Sequence, residues 1–162
     1  MTKTILSSLL LLCSVFMSVS ASAQDQAKKD DAILAAYFKK NKIKAEKTST
    51  GLYYVIHKPG EGEKARKGQK VGMNYLGRFL DGKKFDGNID EQYAPVAGRQ
   101  VFVFTLGAGQ VIAGWDEGVQ LLNKGTRATL YLPSHLAYGP DGRPGIPPNS
   151  ILMFDVEVMS VK

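Results

Sequence analysis

The chain has 162 residues, 44% of them hydrophobic and 22% charged, with a formal net charge of +6. This composition suits one soluble domain plus short extras. The single cysteine, Cys13, leaves no disulfide framework, so stability must come from a packed core.

Lys3 opens a positively charged n-region, and Ile5 to Val19 is an apolar run interrupted by serines. The run is too short to span a bilayer, and Ala21-Ser22-Ala23 places small residues at −3 and −1. Residues 1–23 therefore read as a secretory signal peptide cleaved after Ala23, rather than as a membrane anchor. A lipoprotein reading of Cys13 is disfavoured by Leu12 before it and by the apolar residues after it. Cleavage removes one charge and leaves +5. The lysines at 39, 40, 42, 44 and 47 form a solvated basic stretch without interleaved aromatics, and export argues against nucleic acid.

Gln24 to Asp31 reads as a polar, mobile tail. Asp31 is expected to N-cap a short helix over Ala32–Lys40, whose terminal lysines match the helix dipole. Ile33, Leu34, Tyr37 and Phe38 form its apolar face, which should dock on the domain or on a partner subunit. With so little helix available for pairing, a monomer is expected. Ala45 to Thr50 is a connector. Leu52–His57 is β-branched and aromatic, hence a strand. Val71–Leu80 is a second strand, with Val71, Met73, Tyr75, Gly77 and Phe79 on one face. Asp81-Gly82 is a hairpin turn, returning through Lys83–Asp86. Gly87 to Gln100 is long and irregular.

Val101–Leu106 alternates as a strand. The stretch Gly109–Leu122 holds the only tryptophan, and Val111, Ile112, Trp115, Val119 and Leu122 have helical spacing. Strands follow at Thr126–Leu132 and Ile151–Met159, separated by a Gly- and Pro-rich loop at 133–148. One short helix among antiparallel strands is an α+β pattern.

Most catalytic constellations are absent: there is no Gly-x-Ser-x-Gly and no His-Glu-x-x-His. His57 and His135 stand alone. Gly77–Lys83 imitates a P-loop, but Lys84 stands where Ser or Thr would bind magnesium. No metal or nucleotide cofactor is expected. The recurring feature is aromatic. Tyr75, Phe85, Phe102, Trp115, Tyr138 and Phe154 come from different elements yet fall on faces that could converge. A plain hydrophobic core is the simpler account on residue type alone. Against it, Phe85-Asp86 and Tyr138 lie at strand ends or in a loop, and Asp86 and the tyrosines supply the few polar groups an apolar pocket needs.

Three segments carry a family resemblance. They are Val71–Gly77 with Asp81–Asp86; Leu106-Gly107-x-Gly109-x-Val111-Ile112-x-Gly114-Trp115-Asp116-Glu117-Gly118; and Ala137-Tyr138-Gly139 with Ile146-Pro147-Pro148-Asn149 and Leu152-x-Phe154-Asp155-Val156-Glu157. In this order they resemble the FKBP-type peptidyl-prolyl cis–trans isomerases, from about Gly51 to the C-terminus. The resemblance implies a twisted five- to six-stranded antiparallel sheet wrapped around the Trp115 helix, with residues 48–162 as the isomerase domain and 24–47 as an N-terminal segment.

It further implies a cleft with Trp115 as floor and Tyr75, Phe85, Asp86, Tyr138 and Phe154 as catalytic neighbours. Phe102, Val111, Ile112 and Ile146 would hold substrate, with the Tyr138 hydroxyl and the Ile112 amide on carbonyls. The implied partners are proline-containing segments of unfolded chains and macrolides such as rapamycin, with membrane contact only during export. The implied compartment is periplasmic or extracellular. A non-enzymatic chaperone on the same fold is the alternative. Two departures from the family pattern flank the cleft: Gly87 to Gln100 is longer, and Gly145-Ile146-Pro147 is one residue shorter.

Overall fold

In the computed structural model, which describes residues 5–162 and their side chains from residue 22 onward, seven strands form one antiparallel sheet. The expected leader, residues 1–23, lies almost wholly outside the described side chains. In chain order the elements are α1 (Ile5–Asn41), β1 (Glu46–Lys47), β2 (Tyr53–Lys58), β3 (Lys70–Phe79), β4 (Lys84–Gly87), β5 (Phe102–Thr105), α2 (Ala113–Gly118), β6 (Arg127–Leu132) and β7 (Leu152–Val161). The α+β architecture matches the sequence expectation. The strand beyond the expected six is the two-residue β1, which pairs with β2 inside the expected connector. Among the described residues no helix is long and apolar enough to cross a membrane.

The strand order is β1-β2-β6-β7-β3-β4, with β5 also on β3. β7 pairs with β3 from Val71 to Phe79. The other edge of β3 is therefore shared end to end. β4 takes Leu76 to Arg78 and β5 takes Lys70 to Met73. At the junction stands Asn88, 5% exposed. Its Oδ1 accepts the Tyr75 N–H at 2.7 Å, and its Nδ2 donates to the Met73 carbonyl at 3.1 Å and the Gln100 carbonyl at 2.9 Å. The side chain thus completes the ladder where no strand backbone is present, as buried peptide groups require.

The period of two along β3, β6 and β7 separates two faces. The concave face packs Val71, Met73, Leu130, Leu132, Leu152, Val156 and Phe154 against Trp115, Val119 and Leu122. α2 can lie this close because it presents glycine to the sheet. A Cβ on Gly114 would sit 2.5 Å from Leu132 Cδ2, and one on Gly118 would sit 2.8 Å from Leu130 Cδ1. α2 is shorter than the helical spacing suggested. Gly107 and Gly109 both have positive φ, and Asp116 accepts their N–H groups at 2.7 and 3.0 Å. Helix starts only after Ile112, so Val111 and Ile112 belong to the preceding loop. Val119–Leu121 continues as a 3₁₀ turn.

The convex face carries α1. Leu34 and Phe38 are buried with Tyr131, Ile151 and Met153, so the apolar face docks on the chain's own sheet. The expected N-cap at Asp31 is not one, and Gln24–Asp31 is helical rather than a mobile tail. Each acid has a distant partner instead. Asp30, 1% exposed, accepts the Ser134 N–H at 2.8 Å and hydroxyl at 2.6 Å. Asp31 accepts Lys47 and the Tyr53 hydroxyl, which hold its carboxyl below the usual range. Gln26 donates to Asp30 one turn on, at 2.8 Å. These contacts fix the segment that local signals alone marked as a mobile tail.

The 88–100 excursion also lies largely on this convex side. The Tyr93 ring stacks under the Arg127 guanidinium at 4.6 Å, and Arg127 pairs with Glu157 at 2.8 Å. Burial pushes the Tyr93 phenol up to about 12. The expectation that this whole segment flanks the cleft is therefore corrected: its body crosses to the far face, and Arg99 returns toward the cleft's Asp86.

Candidate active site

The concave face opens into a cleft of about 440 Å³ between β3, β4, β5, the start of α2 and the 138–146 loop. All ten residues singled out from sequence line it: Tyr75, Phe85, Asp86, Phe102, Val111, Ile112, Trp115, Tyr138, Ile146 and Phe154. Gln110, Arg143, Pro144 and Gly145 line it as well.

Trp115 is 4% exposed and its ring is clasped on three sides. Tyr75 meets it edge-on at 5.1 Å, Phe154 at 5.3 Å and Phe102 at 6.0 Å. Phe85 in turn meets Phe154 edge-on at 5.6 Å. Such edge-to-face contacts favour one orientation of each ring, so the wall is stiff. The indole Nε1–H is buried and has no hydrogen-bond partner among the described residues. An orphaned donor costs about 1–3 kcal/mol, a cost usually tolerated where a site needs the group's shape.

Polar groups are few and placed at the rim. The Tyr75 hydroxyl donates to Asp86 Oδ2 at 2.8 Å, and Oδ1 accepts the Gly87 N–H at 2.9 Å. Burial, then the Asp86 carboxylate, hold the Tyr75 phenol well above its usual range, so it stays a donor at physiological pH. Arg99 stands 3.9 Å from the same carboxylate. Opposite, the Tyr138 hydroxyl accepts from Arg143 Nη1 at 2.8 Å. The backbone N–H of Ile112 makes no hydrogen bond among the described residues. The cleft therefore offers an apolar floor, a carboxylate on one side and two donors. It holds no nucleophile beside a base. Among the described residues no cluster of three His, Cys, Asp or Glu could hold a metal ion.

A family model described as FKBP-type peptidyl-prolyl cis–trans isomerase matches residues 61–159, more than half of the chain. The chain belongs to this family. FKBP-type relatives include the isomerase FkpA of Escherichia coli K12, 40% identical over 150 residues that cover 89% of this chain and 52% of that protein. FkpA of Aeromonas hydrophila is 39% identical over 140 residues, covering 86% of this chain and 48% of that protein. The chain thus spans about half the length of these FkpA relatives. Fkbp12 of Drosophila melanogaster is 46% identical over 114 residues, 69% of this chain and 99% of that protein. Among solved structures, E. coli FkpA superposes with a TM-score of 0.67 at 35% identity, covering all of this chain and 73% of that one. AtFKBP13 superposes with a TM-score of 0.65 at 31% identity, covering 74% of this chain and 100% of that one.

Within this FKBP-type domain, the cleft residues that sequence reasoning missed share a cause. Pro144, Gly145 and Arg143 sit in a Gly- and Pro-rich loop with no periodicity to assign a face. Gln110 lay inside what looked like helix, whereas it belongs to the loop before α2 and accepts the Thr105 N–H at 2.8 Å. The close approach of wall to strand gives a direct test. A Cβ on Gly77 would lie 2.6 Å from Phe85 Cζ and 3.0 Å from Phe154 Cε1. Gly77→Ala is expected to overpack this contact at a cost of about 1–3 kcal/mol, lowering the melting temperature and displacing Phe85. A melting temperature equal to wild type would show that the ring wall yields freely.

Proposed function

We propose that this protein is a peptidyl-prolyl cis–trans isomerase acting on exported polypeptides. Residues 1–23 would serve as a leader cleaved after Ala23, residues 24–47 as a docked N-terminal segment and 48–162 as the isomerase domain. Its working compartment is then the periplasm or the extracellular space. Burial of Leu34 and Phe38 on the chain's own sheet supports a monomer.

The observation that carries the reading is the aromatic cleft that sets the Tyr138 hydroxyl and the Ile112 N–H beside an indole floor, with the Asp86 carboxylate at its rim and no nucleophile beside a base. Rotation about an X–Pro bond must break amide resonance, a barrier of about 18–20 kcal/mol. Bringing it to milliseconds needs about 10⁴-fold, or roughly 5–6 kcal/mol. Amide resonance places charge on oxygen and nitrogen, and the twisted amide carries less of it. An apolar environment therefore raises the planar state relative to the twisted one. The proline ring rests on Trp115, walled by Tyr75, Phe85 and Phe154. The Tyr138 hydroxyl and the Ile112 N–H hold flanking carbonyls, so that rotation occurs about one bond of an otherwise fixed segment. Asp86, oriented by Tyr75, faces the amide as it twists. Phe102, Val111 and Ile146 complete the apolar lining.

Incubating a cis-enriched proline tetrapeptide with the processed protein is expected to accelerate isomerisation in a protease-coupled assay. Rapamycin is expected to occupy the cleft and quench the single tryptophan. Uncatalysed rates at micromolar protein would overturn the enzymatic reading.

A further inference from the structure

Resting on the prolyl-isomerase reading, we propose that Arg143 is a specificity-determining residue that selects polypeptides carrying an acidic side chain next to the proline. Two charged groups at the rim balance one another: Asp86 has Arg99 beside it at 3.9 Å. Arg143 has no such partner, for among the described residues no carboxylate lies within ion-pair distance of it. The rim therefore carries one uncompensated cation, on the Tyr138 side.

That cation is held in place. Nη1 of Arg143 donates to the Tyr138 hydroxyl at 2.8 Å, and the guanidinium lies over the same ring at 5.0 Å from its centroid. The backbone is pinned too, since Arg143 N–H donates to the Ile146 carbonyl at 2.9 Å and Ile146 N–H returns to the Arg143 carbonyl at 2.8 Å. Guanidinium has five N–H donors and no acceptor. It fills an acceptor position on the Tyr138 oxygen and leaves the hydroxyl proton to point elsewhere. Arg143 is an exposed residue lining the cleft, and its guanidinium makes no other hydrogen bond among the described residues. A carboxylate on the residue whose carbonyl Tyr138 holds meets them as a planar, two-point partner.

The test uses protease-free NMR exchange on uncharged-end peptides with Glu, Leu or Lys on either side of the proline, at low and high salt. Wild-type protein is expected to favour a Glu peptide over its Lys counterpart in kcat/KM. Arg143→Gln should reduce the Glu peptide by about threefold, the scale of a single rim charge, with a smaller change for Leu. The change should fall mainly in KM, because attraction of this kind acts on bound substrate and transition state alike. Arg143→Lys should restore part of it, and high salt should abolish it. If Arg143→Gln leaves the Glu-to-Lys ratio unchanged while isomerisation persists, Arg143 does not select substrate and the isomerase reading stands. If wild-type protein neither catalyses exchange nor binds any peptide, both fall.

Discussion

Trp115→Ala is expected to lower kcat/KM for a proline peptide at least tenfold, corresponding to about 1.4 kcal/mol or more of lost transition-state stabilisation. The substitution removes the floor on which four rings, those of Tyr75, Phe102, Phe104 and Phe154, converge, so the cleft loses both its apolar surface and its shape. It also truncates a core side chain, at about 3–5 kcal/mol of stability. Activity loss alone would then confuse unfolding with chemistry. Phe85→Ala combined with Asp86→Ala separates them, because both residues are at the rim and neither belongs to the fully buried set. This double variant should melt much closer to wild type than Trp115→Ala and still lose at least tenfold in activity. A folded double variant with wild-type turnover would rule out this cleft as the site of catalysis.

Phe38→Ala carries the largest expected effect on stability away from the cleft. Its ring meets Tyr131 edge-on at 4.9 Å and Tyr53 at 5.0 Å. Truncation should cost about 3–5 kcal/mol if α1 stays docked, and less if the helix detaches and the loss is local. Lys28-Lys29 and Lys39-Lys40 are exposed but held in helix, and detachment would let that helix unwind and admit trypsin, so thermal unfolding and limited proteolysis distinguish the two. Ile33→Ala, at a side chain that is half exposed, should leave both unchanged. Isomerase activity is expected to survive Phe38→Ala, since α1 and the cleft lie on opposite faces of the sheet. Unaltered melting and unaltered proteolysis would mean that α1 contributes nothing to the fold.

Much of the concave face was legible because its physics is periodic. Alternation along Val71–Phe79 and Leu152–Val158 assigned inward residues, and those residues line the core and cleft. Turn chemistry located the Asp81-Gly82 hairpin, where the Gly82 N–H bonds the Phe79 carbonyl at 2.9 Å. The convex face was not legible in the same way. Asp31 looks like a helix-start signal in a local window and Asp30 like part of a polar tail, and only the fold brings Ser134, Lys47 and Tyr53 to them. The path of 88–100 depends on Tyr93 reaching Arg127 across the sheet, a pairing without any sequence period. Arg143 was missed for a related reason: its role comes from the hydroxyl beside it, not from its own position in a pattern.

The Asn88 side chain has a consequence for how such a chain can change over generations. By bonding Met73, Tyr75 and Gln100 together, the side-chain amide joins the Asn88 backbone N–H, which donates to the Tyr75 carbonyl, in splicing β4 to β5 and closing the sheet. Of the residues between 88 and 100, Ile89 is buried, Tyr93 lies under Arg127 and Arg99 stands by Asp86, so only the exposed turn at Glu91-Gln92 is an appendage to a finished edge. Its length and composition can drift, or a whole module can be inserted, while the rings around Trp115 keep their places. The chain has a port for acquiring new recognition surfaces without retuning its chemistry.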